Sequence, residues 1–201
     1  LRSGDTVYVA DRTNGKAWRS SDGGATFPKK ITLKEPYPVT TFKVLTPTTI
    51  WTGHPSGEVY WSTNSGRKWE EPEDSDAEDA PGAVAAIKEI AVKGDIVLLG
   101  NCNGQVFVSS DAGETFETVG ITDPGDFKDL TIPCYDIAYA ANNIIYAGLT
   151  NLGAGIWRTE LDVDDPGSCE WERIEVLASV NRASEAYGIM VLLGGVFYGA
   201  D

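Results

Sequence analysis

Positive charge and long apolar runs are scarce in this chain of 201 residues. It has 16 lysines and arginines against 30 aspartates and glutamates, which gives a formal net charge of −14. Binding to a nucleic-acid backbone requires clustered lysine and arginine, and anionic membranes attract basic segments, so the composition disfavours both. No apolar run approaches the roughly 20 residues of a membrane-spanning helix. We therefore expect no nucleic-acid partner and no membrane insertion.

Motifs for catalysis and for metal binding are also scarce. The single histidine, His54, lies too close in sequence to Ser56 for a catalytic triad, and the Gly-x-Ser-x-Gly motif is absent. The acidic stretches 70–79 and 162–167 offer oxygen ligands for calcium, but neither has the spacing of an EF-hand loop. A solvated loop is the simpler interpretation of both stretches. We predict no catalytic residue, no metal site and no cofactor, with calcium kept as an alternative.

One short phrase is present twice in full and once in part. Its pattern is Ser-x-Asp-x-Gly-x-Thr-aromatic, and the partial copy has Asn in place of Asp and Lys in place of Thr. The copies begin at positions 20, 62 and 109, so the phrase recurs every 42 to 47 residues, which indicates a repeat architecture. We call the copies the first, second and third clasp; their residues are Ser20, Asp22, Gly24, Thr26 and Phe27, then Ser62, Asn64, Gly66 and Trp69, then Ser109, Asp111, Gly113, Thr115 and Phe116.

The residue types of the clasp are those of a tight turn. An aspartate carboxylate can accept hydrogen bonds from backbone N–H groups just ahead of it, and glycine adopts positive φ without a Cβ clash. We expect Asp22 and Asp111 to accept such bonds within their own turns, and Phe27 and Phe116 to be buried beneath them. This structural role is favoured over a metal-binding or catalytic role for the aspartates.

Strand-like runs surround the clasps in a constant order. Each unit has an apolar run, then two runs joined by a glycine-containing turn, then the clasp and a further run; the second strands are predicted at 6–10, 49–52, 95–99 and 144–148. Four antiparallel strands in a unit of about 45 residues form one blade of a β-propeller. We predict an all-β chain without significant helix, in which about four blades form an arc of a larger ring, and the remaining blades are a partner. The approximate units are 1–38, 39–82, 83–132 and 133–183, with 184–201 beginning a further blade.

The clasp resembles the Asp-box, or BNR repeat, of sialidases, sortilin-type receptors, xyloglucan-cleaving propellers and photosystem II assembly factors. The resemblance extends over the whole chain at the level of blades, although the fourth clasp has decayed into the acidic loop 160–168. It implies an Asp-box β-propeller, and because such propellers are frequently secreted or surface-borne, it implies an extracellular or cell-surface location. It does not specify an activity, because Asp-boxes lie in peripheral turns and different activities occupy the face of the ring.

Two classes of function remain. The first is a non-catalytic module that presents loops to a protein or glycan partner as a scaffold or binding surface. The second is part of a glycoside hydrolase propeller, sialidase-like or xyloglucanase-like, although the Phe-Arg-Ile-Pro motif of sialidases is absent. In the first case the turns between second and third strands lie on one face with the loops between blades, the acidic stretch 70–79 lies at its rim, and the clasps lie on the opposite face. The polar contacts are then expected from His54, Asn101, Asn103 and Asn151.

Three cysteines do not determine the redox compartment. Propeller order places Cys102 in a turn and Cys134 at the start of the next blade, both on the loop face, so a disulfide between adjacent blades is feasible. Three reduced thiols are an equally good interpretation, and Cys169 would lie on the opposite face.

Overall fold

The computed structural model describes residues 2–11, 13–34, 38–73, 85–120, 134–149, 155–174, 189–192 and 196–199. Within these ranges the regular elements are β-strands and two single 3-10 turns, Ala141–Asn143 and Pro166–Ser168. The strands are β1 (Arg2–Ser3), β2 (Thr6–Asp11), β3 (Lys16–Ser20), β4 (Lys29–Thr32), β5 (Thr41–Val44), β6 (Ile50–Gly53), β7 (Val59–Ser62), β8 (Ile87–Lys93), β9 (Ile96–Asn101), β10 (Val106–Ser109), β11 (Glu117–Thr118), β12 (Cys134–Tyr139), β13 (Ile144–Leu149), β14 (Gly155–Glu160), β15 (Glu172–Ile174), β16 (Ile189–Leu192) and β17 (Val196–Gly199). None of the described segments forms a helix that is long and apolar enough to cross a membrane.

The strands form consecutive antiparallel sheets in sequence order. The first sheet contains β1–β4, the second β5–β7, the third β8–β11 and the fourth β12–β15, while β16 and β17 form a hairpin. In the second sheet the fourth strand is reduced to a single bridge between Trp61 and Glu70. The predicted second strands match β2, β6, β9 and β13 to within a residue or two at each end. The prediction of an all-β fold built from four-stranded antiparallel units is confirmed.

Neighbouring sheets pack face to face, and each pair encloses its own apolar cluster. Side chains alternate between the two sides of a strand, so each sheet has one side toward the preceding sheet and one toward the following sheet. We call these its first face and its second face. The three clusters are centred on Tyr8, Ile31 and Ile50, on Trp51, Trp61 and Ile90, and on Leu98, Val108 and Ile145.

The first strands of successive sheets lie side by side along the inner edge of the stack. β5 contacts β8, β8 contacts β12, and β12 contacts β16. Sheets that stack around a common inner edge are the blades of a propeller. β1 and β17 belong to different sheets, so no described sheet joins the two ends of the stack, which is compatible with part of a ring.

Each clasp closes the turn that follows the third strand of its sheet. The serine hydroxyl accepts the N–H of the clasp glycine, at 2.9 Å for Ser20, 2.8 Å for Ser62 and 2.7 Å for Ser109. Asp22 accepts the N–H of Thr26 at 2.9 Å, and Asp111 accepts the N–H of Thr115 at 3.0 Å. The glycines have φ of +97°, +79° and +104°, the conformation that the phrase predicts for them. The two aspartates therefore serve the backbone of their own turns.

The aromatic residue that ends the second or the third clasp contacts the preceding sheet. Trp69 donates its indole N–H to the carbonyl of Thr32 at 2.9 Å, and Phe116 packs against the cluster between the second and third sheets. Phe27 is different, because it is 36% exposed. The prediction that Phe27 is buried beneath its clasp is wrong, since its ring faces outward on the first sheet, the beginning of the described arc.

Candidate functional site

The turns between second and third strands form the loop face, and hydrogen bonds from side chains fix their shapes. In the first sheet, Asp11 accepts the N–H of Thr13 at 2.8 Å and the side-chain N–H of Asn14 at 2.7 Å. The bond from Asn14, followed by that from Thr13, lowers the pKa of Asp11 below its usual range. This carboxylate therefore stays ionised and organises its turn. The corresponding turn of the fourth sheet lies outside the described residues.

His54 follows β6 and is buried rather than solvated, with 1% of its surface exposed. Its Nε2 lies 3.3 Å from the hydroxyl of Thr52, and its ring meets that of Tyr60 edge-on with centroids 5.3 Å apart. Its Nδ1 makes no hydrogen bond to the protein in this structure. Burial lowers the pKa of His54, against smaller opposite effects from Glu58 and the backbone of Pro38. The expected surface contact from His54 is therefore not available, because the side chain lies in the protein interior.

Asn101 is also a turn-forming residue, with 2% of its surface exposed. Its Oδ1 accepts the N–H groups of Asn103 and Gln105, both at 3.0 Å, and its Nδ2 donates to Gln105 Oε1 at 2.7 Å. Every polar atom of the side chain is thus used locally. Burial removes Asn101 from the expected contacts, whereas Asn103 is half-buried and retains accessible surface. Asn151 lies outside the described residues.

A charged cluster that the sequence interpretation did not single out lies on the inner strands near the loop face. Lys43 of β5 forms an ion pair with Glu89 of β8. Burial raises the pKa of Glu89, Lys43 works against that rise, and the nearby Asp136 of β12 adds to it. Glu89 and Asp136 lie near the beginnings of their strands, at the end of the sheets where the loop-face turns lie. The sequence signal that could have indicated this cluster is the single charged residue within each apolar first-strand run.

An open cleft of about 460 Å³ lies beside this cluster. Three strands contribute its walls, with apolar and polar side chains together; the lining residues are Tyr8, Val9, Ala10, Val39, Thr40, Thr41, Phe42, Lys88 and Glu89. A second hollow of about 600 Å³ lies beside the acidic loop after β14 and includes Asp162 and Asp164. Asp162 Oδ1 accepts the N–H of Asp164 at 3.0 Å. Within the described ranges no three His, Cys, Asp or Glu side chains come together as a metal site, and only 70–73 of the acidic stretch 70–79 is described.

The thiol of Cys102 is free and half-buried, and the side chain of Cys134 lies outside the described residues, so the disulfide between the two stays a prediction. Cys102 Sγ lies 3.9 Å from Asn103 Oδ1. Cys169 is also free and is 8% exposed, and its sulfur accepts the N–H of Asp162 at 3.3 Å.

No protein-family model and no curated protein matches the chain. Solved structures do match. YCF48 bound to D1 peptide is 12% identical, with a TM-score of 0.55 over 98% of this chain and 64% of that one. The GH74 xyloglucanase of Xanthomonas campestris is 16% identical, with a TM-score of 0.58 over 86% of this chain and 29% of that one. The extracellular domain of the one-component system protein BT4673 of B. thetaiotaomicron is 13% identical, with a TM-score of 0.65 over 98% of this chain and 26% of that one.

The chain therefore spans under two thirds of each of these three proteins. They are β-propellers whose names indicate an enzyme, an extracellular domain and a peptide-bound protein, so their shared feature is the fold. At these identities the likeness concerns the fold alone. The chain has the β-propeller fold, and its resemblance to Asp-box repeats rests on the clasps in its own sequence.

Proposed function

We propose that this chain is a non-catalytic propeller module that presents its loop face to a protein or glycan partner. The observation that carries the proposal is the construction of the turns, whose side chains hold their own backbone in place. Asp11 and Asn101 each accept two hydrogen bonds within a turn. A surface that is ordered before binding loses less conformational entropy on association, which favours recognition. His54 and Asn101 then act as positioning residues.

Accessible side chains near the cleft and the turns then make the contacts with the partner. Lys88 lines the cleft, and Asn103 lies in the turn after β9; both are half-buried and can reach a ligand. The cleft combines an apolar wall at Phe42 with polar groups at Thr41 and Lys88, the mixture that an extended peptide segment requires. YCF48, a propeller of the same fold, has been solved with a peptide bound, which supports a peptide segment as the first ligand to test. A glycan is the second ligand to test.

We place the module outside the cell or at its surface, following the resemblance to Asp-box propellers. The extracellular domain of BT4673 has the same fold, which is compatible with that location. Fusion of the native gene to a reporter that fluoresces only in a reducing cytoplasm would test it. A fully active cytoplasmic signal would contradict the assignment.

One observation favours the alternative of a glycoside hydrolase. Glu89 has a raised pKa and lies near the carboxylate of Asp136. Retaining and inverting glycosidases both need two carboxyl groups, one of which is protonated at the start of the reaction. The ion pair of Glu89 with Lys43 opposes this use, because it stabilises the ionised form.

Array screening with the labelled protein, first on peptides and then on glycans, would identify a ligand, and calorimetry would measure its affinity. Lys88→Ala and Asn103→Ala should each weaken binding about tenfold, the loss of roughly one charged or polar contact. Arg67→Ala and Lys68→Ala, which change exposed residues of the second clasp, are the matched controls and should leave the affinity unchanged. Loss of binding in the clasp variants alone would place the functional surface on the opposite face.

The hydrolase alternative is tested by an assay for the cleavage of oligosaccharides. Xyloglucan oligosaccharides and sialosides incubated with the protein should remain intact if the module only binds. Turnover that disappears in Glu89→Gln, with binding of the same oligosaccharide retained, would establish the enzyme and refute the non-catalytic proposal.

A further inference from the structure

One row of paired residues recurs in the four sheets and carries different charges in the first of them. On each third strand it begins at the residue just before the clasp serine, and Thr159 holds the place of that serine in the fourth sheet. The third-strand members are Arg19, Trp61, Val108 and Arg158. The fourth-strand residues that pair with them are Lys29, Glu70, Glu117 and Glu172. Three sheets therefore have a glutamate where the first sheet has a lysine.

The fourth sheet shows what this glutamate does beside an arginine. Arg158 Nε donates a hydrogen bond to Glu172 Oε1 in an ion pair between neighbouring strands. The first sheet has an arginine at the same place, but Arg19 pairs with Lys29. Like charges directly opposite each other destabilise a pair of strands. Arg19 therefore lacks the counter-ion that the fourth sheet supplies to the equivalent arginine.

The guanidinium of Arg19 is partly covered by the second sheet. Its Nε is buried and has no hydrogen-bond partner among the described residues. Arg19 lies on the second face, because Ala17, two positions earlier on the same strand, belongs to the cluster between the first and second sheets. A Cβ on Gly66 of the second clasp would strike Ile31, which pairs with Ala17 on that face. The neighbouring sheet is thus in place at this row, and what the row lacks is a negative charge to pair with its buried donor.

The carboxylates of the surrounding segments are already engaged. Asp22 accepts hydrogen bonds from Ser20 and Thr26 within the first clasp. Glu70 binds Lys68 and Glu71 binds Lys34, both at 3.3 Å. Lys29 is exposed and forms no ion pair with the part of the chain that the structure describes. A carboxylate from solution can therefore reach this row from the side of Lys29.

We propose that Arg19 and Lys29 form a binding site for a carboxylate carried by another molecule, which takes the place that Glu172 has beside Arg158. A guanidinium binds a carboxylate through hydrogen bonds strengthened by charge, and the ammonium of Lys29 adds a second positive charge. With a net charge of −14, the protein as a whole repels such a group, so the site is a local exception. It lies at the clasp end of the first sheet, opposite the loop face, and is independent of the proposed function. A free organic acid and an acidic peptide both present the required group.

Nuclear magnetic resonance of the isotope-labelled chain tests the site directly. The Nε–H signal of Arg19, assigned by its loss in Arg19→Lys, should shift when N-acetylglutamate or hexaglutamate is added at constant ionic strength. Equal shifts at equal carboxylate concentration would identify a free acid as a sufficient ligand. A shift with hexaglutamate alone would identify an acidic peptide. The melting temperature, which a bound ligand should raise, provides a second readout.

Lys29→Glu gives the first sheet the arginine–glutamate pair of the fourth. It should raise the melting temperature in the absence of ligand and abolish the response to added carboxylate. Lys30→Glu is the matched control, because Lys30 is the exposed neighbour on the same strand, changes the net charge equally and pairs with Trp18 on the opposite face. It should retain the response, as should Lys88→Ala, which alters the cleft of the loop face.

A wild type that shows neither a shift of the Arg19 signal nor a rise in melting temperature at millimolar ligand would overturn the proposal. A response that persists in Lys29→Glu would also overturn it. Equal loss in Lys30→Glu would show attraction by net charge alone and would overturn it as well. Loss in Lys88→Ala would place the carboxylate in the loop-face cleft, which contradicts this site and leaves the proposed function standing.

Discussion

Gly113 lies in the third clasp with φ of +104°, and the ring of Trp51 in the preceding sheet occupies the space that a side chain at this position would need. A Cβ at this position would lie 3.2 Å from Trp51 Cζ3 and closer still to Cη2. Gly113→Ala should therefore incur two separate costs. Holding alanine at positive φ costs roughly 1–3 kcal/mol, and forcing a methyl group into a packed interface costs a further 1–3 kcal/mol or so.

Gly24→Ala separates the two costs. Gly24 has a similar φ of +97°, but its Cβ direction is open apart from Val7 at 3.7 Å. It should incur the cost of the backbone conformation without that of the packing. The difference between the two variants, about 1–3 kcal/mol, then measures the contact between the clasp and the preceding sheet.

Urea unfolding followed by circular dichroism gives the free energy of unfolding of each variant, with the m-value as a check on two-state behaviour. Equal losses in Gly113→Ala and Gly24→Ala would refute the argument that the clasp glycine serves the neighbouring sheet.

The remaining predictions concern three individual side chains. Asp111→Ala should destabilise the protein by about 0.5–1.5 kcal/mol, because it removes the acceptor of the exposed N–H of Thr115, which water can replace only in part, and Asp111→Asn should lose less. No change in the melting temperature of Asp111→Ala would contradict the structural role. The pKa of His54 is lower in the folded protein than in the unfolded chain, so its contribution to stability is complete above about pH 6.5 and is lost as the pH falls through the lowered pKa. The wild type should therefore lose more free energy of unfolding between about pH 7.5 and 5.5 than His54→Gln does. Parallel pH profiles of the two proteins would contradict this prediction. In the folded protein, iodoacetamide should modify half-buried Cys102 before buried Cys169, as intact-mass spectrometry would show. An unreactive Cys102 together with a mass lower by two hydrogen atoms would support the disulfide with Cys134.

The fold could be predicted from the sequence because the chemistry of the clasp is local. Within five residues, the hydroxyl of Ser109 donates to the carboxylate of Asp111 and accepts the N–H of Gly113. Such a turn can be recognised from its own residues, without knowledge of residues distant in the sequence. Its recurrence then sets the length of the unit, and the runs of β-branched and aromatic residues between clasps supply the strands.

The candidate contacts could not be predicted because burial at the loop face depends on the first strand of the third sheet, which lies in the next sheet for His54 and in the same sheet for Asn101. His54 and Asn101 are polar residues in turns, which favours exposure when the sequence is read alone. However, the N–H of Ile87 binds the carbonyl of His54 at 3.1 Å, and the N–H of Cys102 binds that of Ala86 at 2.9 Å. The beginning of β8 therefore lies along both turns. His54 thus meets a residue 33 positions away and Cys102 meets one 16 positions away, and the sequence of a single turn does not indicate either contact.

The inner-strand charges were missed for a related reason. Lys43 and Glu89 each interrupt an apolar run, and a single charge in such a run reads as an ordinary solvent-facing position. Only the side-by-side packing of β5 and β8 brings them into an ion pair across two sheets. The sequence indicates that a charge is present on each first strand, whereas the register between sheets decides which charges meet.

The second clasp shows which of its residues can be replaced and which cannot. Asn64 stands where the other clasps have aspartate, yet its Oδ1 accepts the N–H groups of Arg67 at 3.0 Å and Lys68 at 2.8 Å, so an amide oxygen can perform the task of the carboxylate. Gly66 has no such substitute, because its φ of +79° and the proximity of Ile31 both exclude a side chain. The carboxylate serves one turn, whereas the glycine serves one turn and the neighbouring sheet. A clasp can therefore lose its aspartate and remain an element of blade-to-blade packing, as the second clasp does.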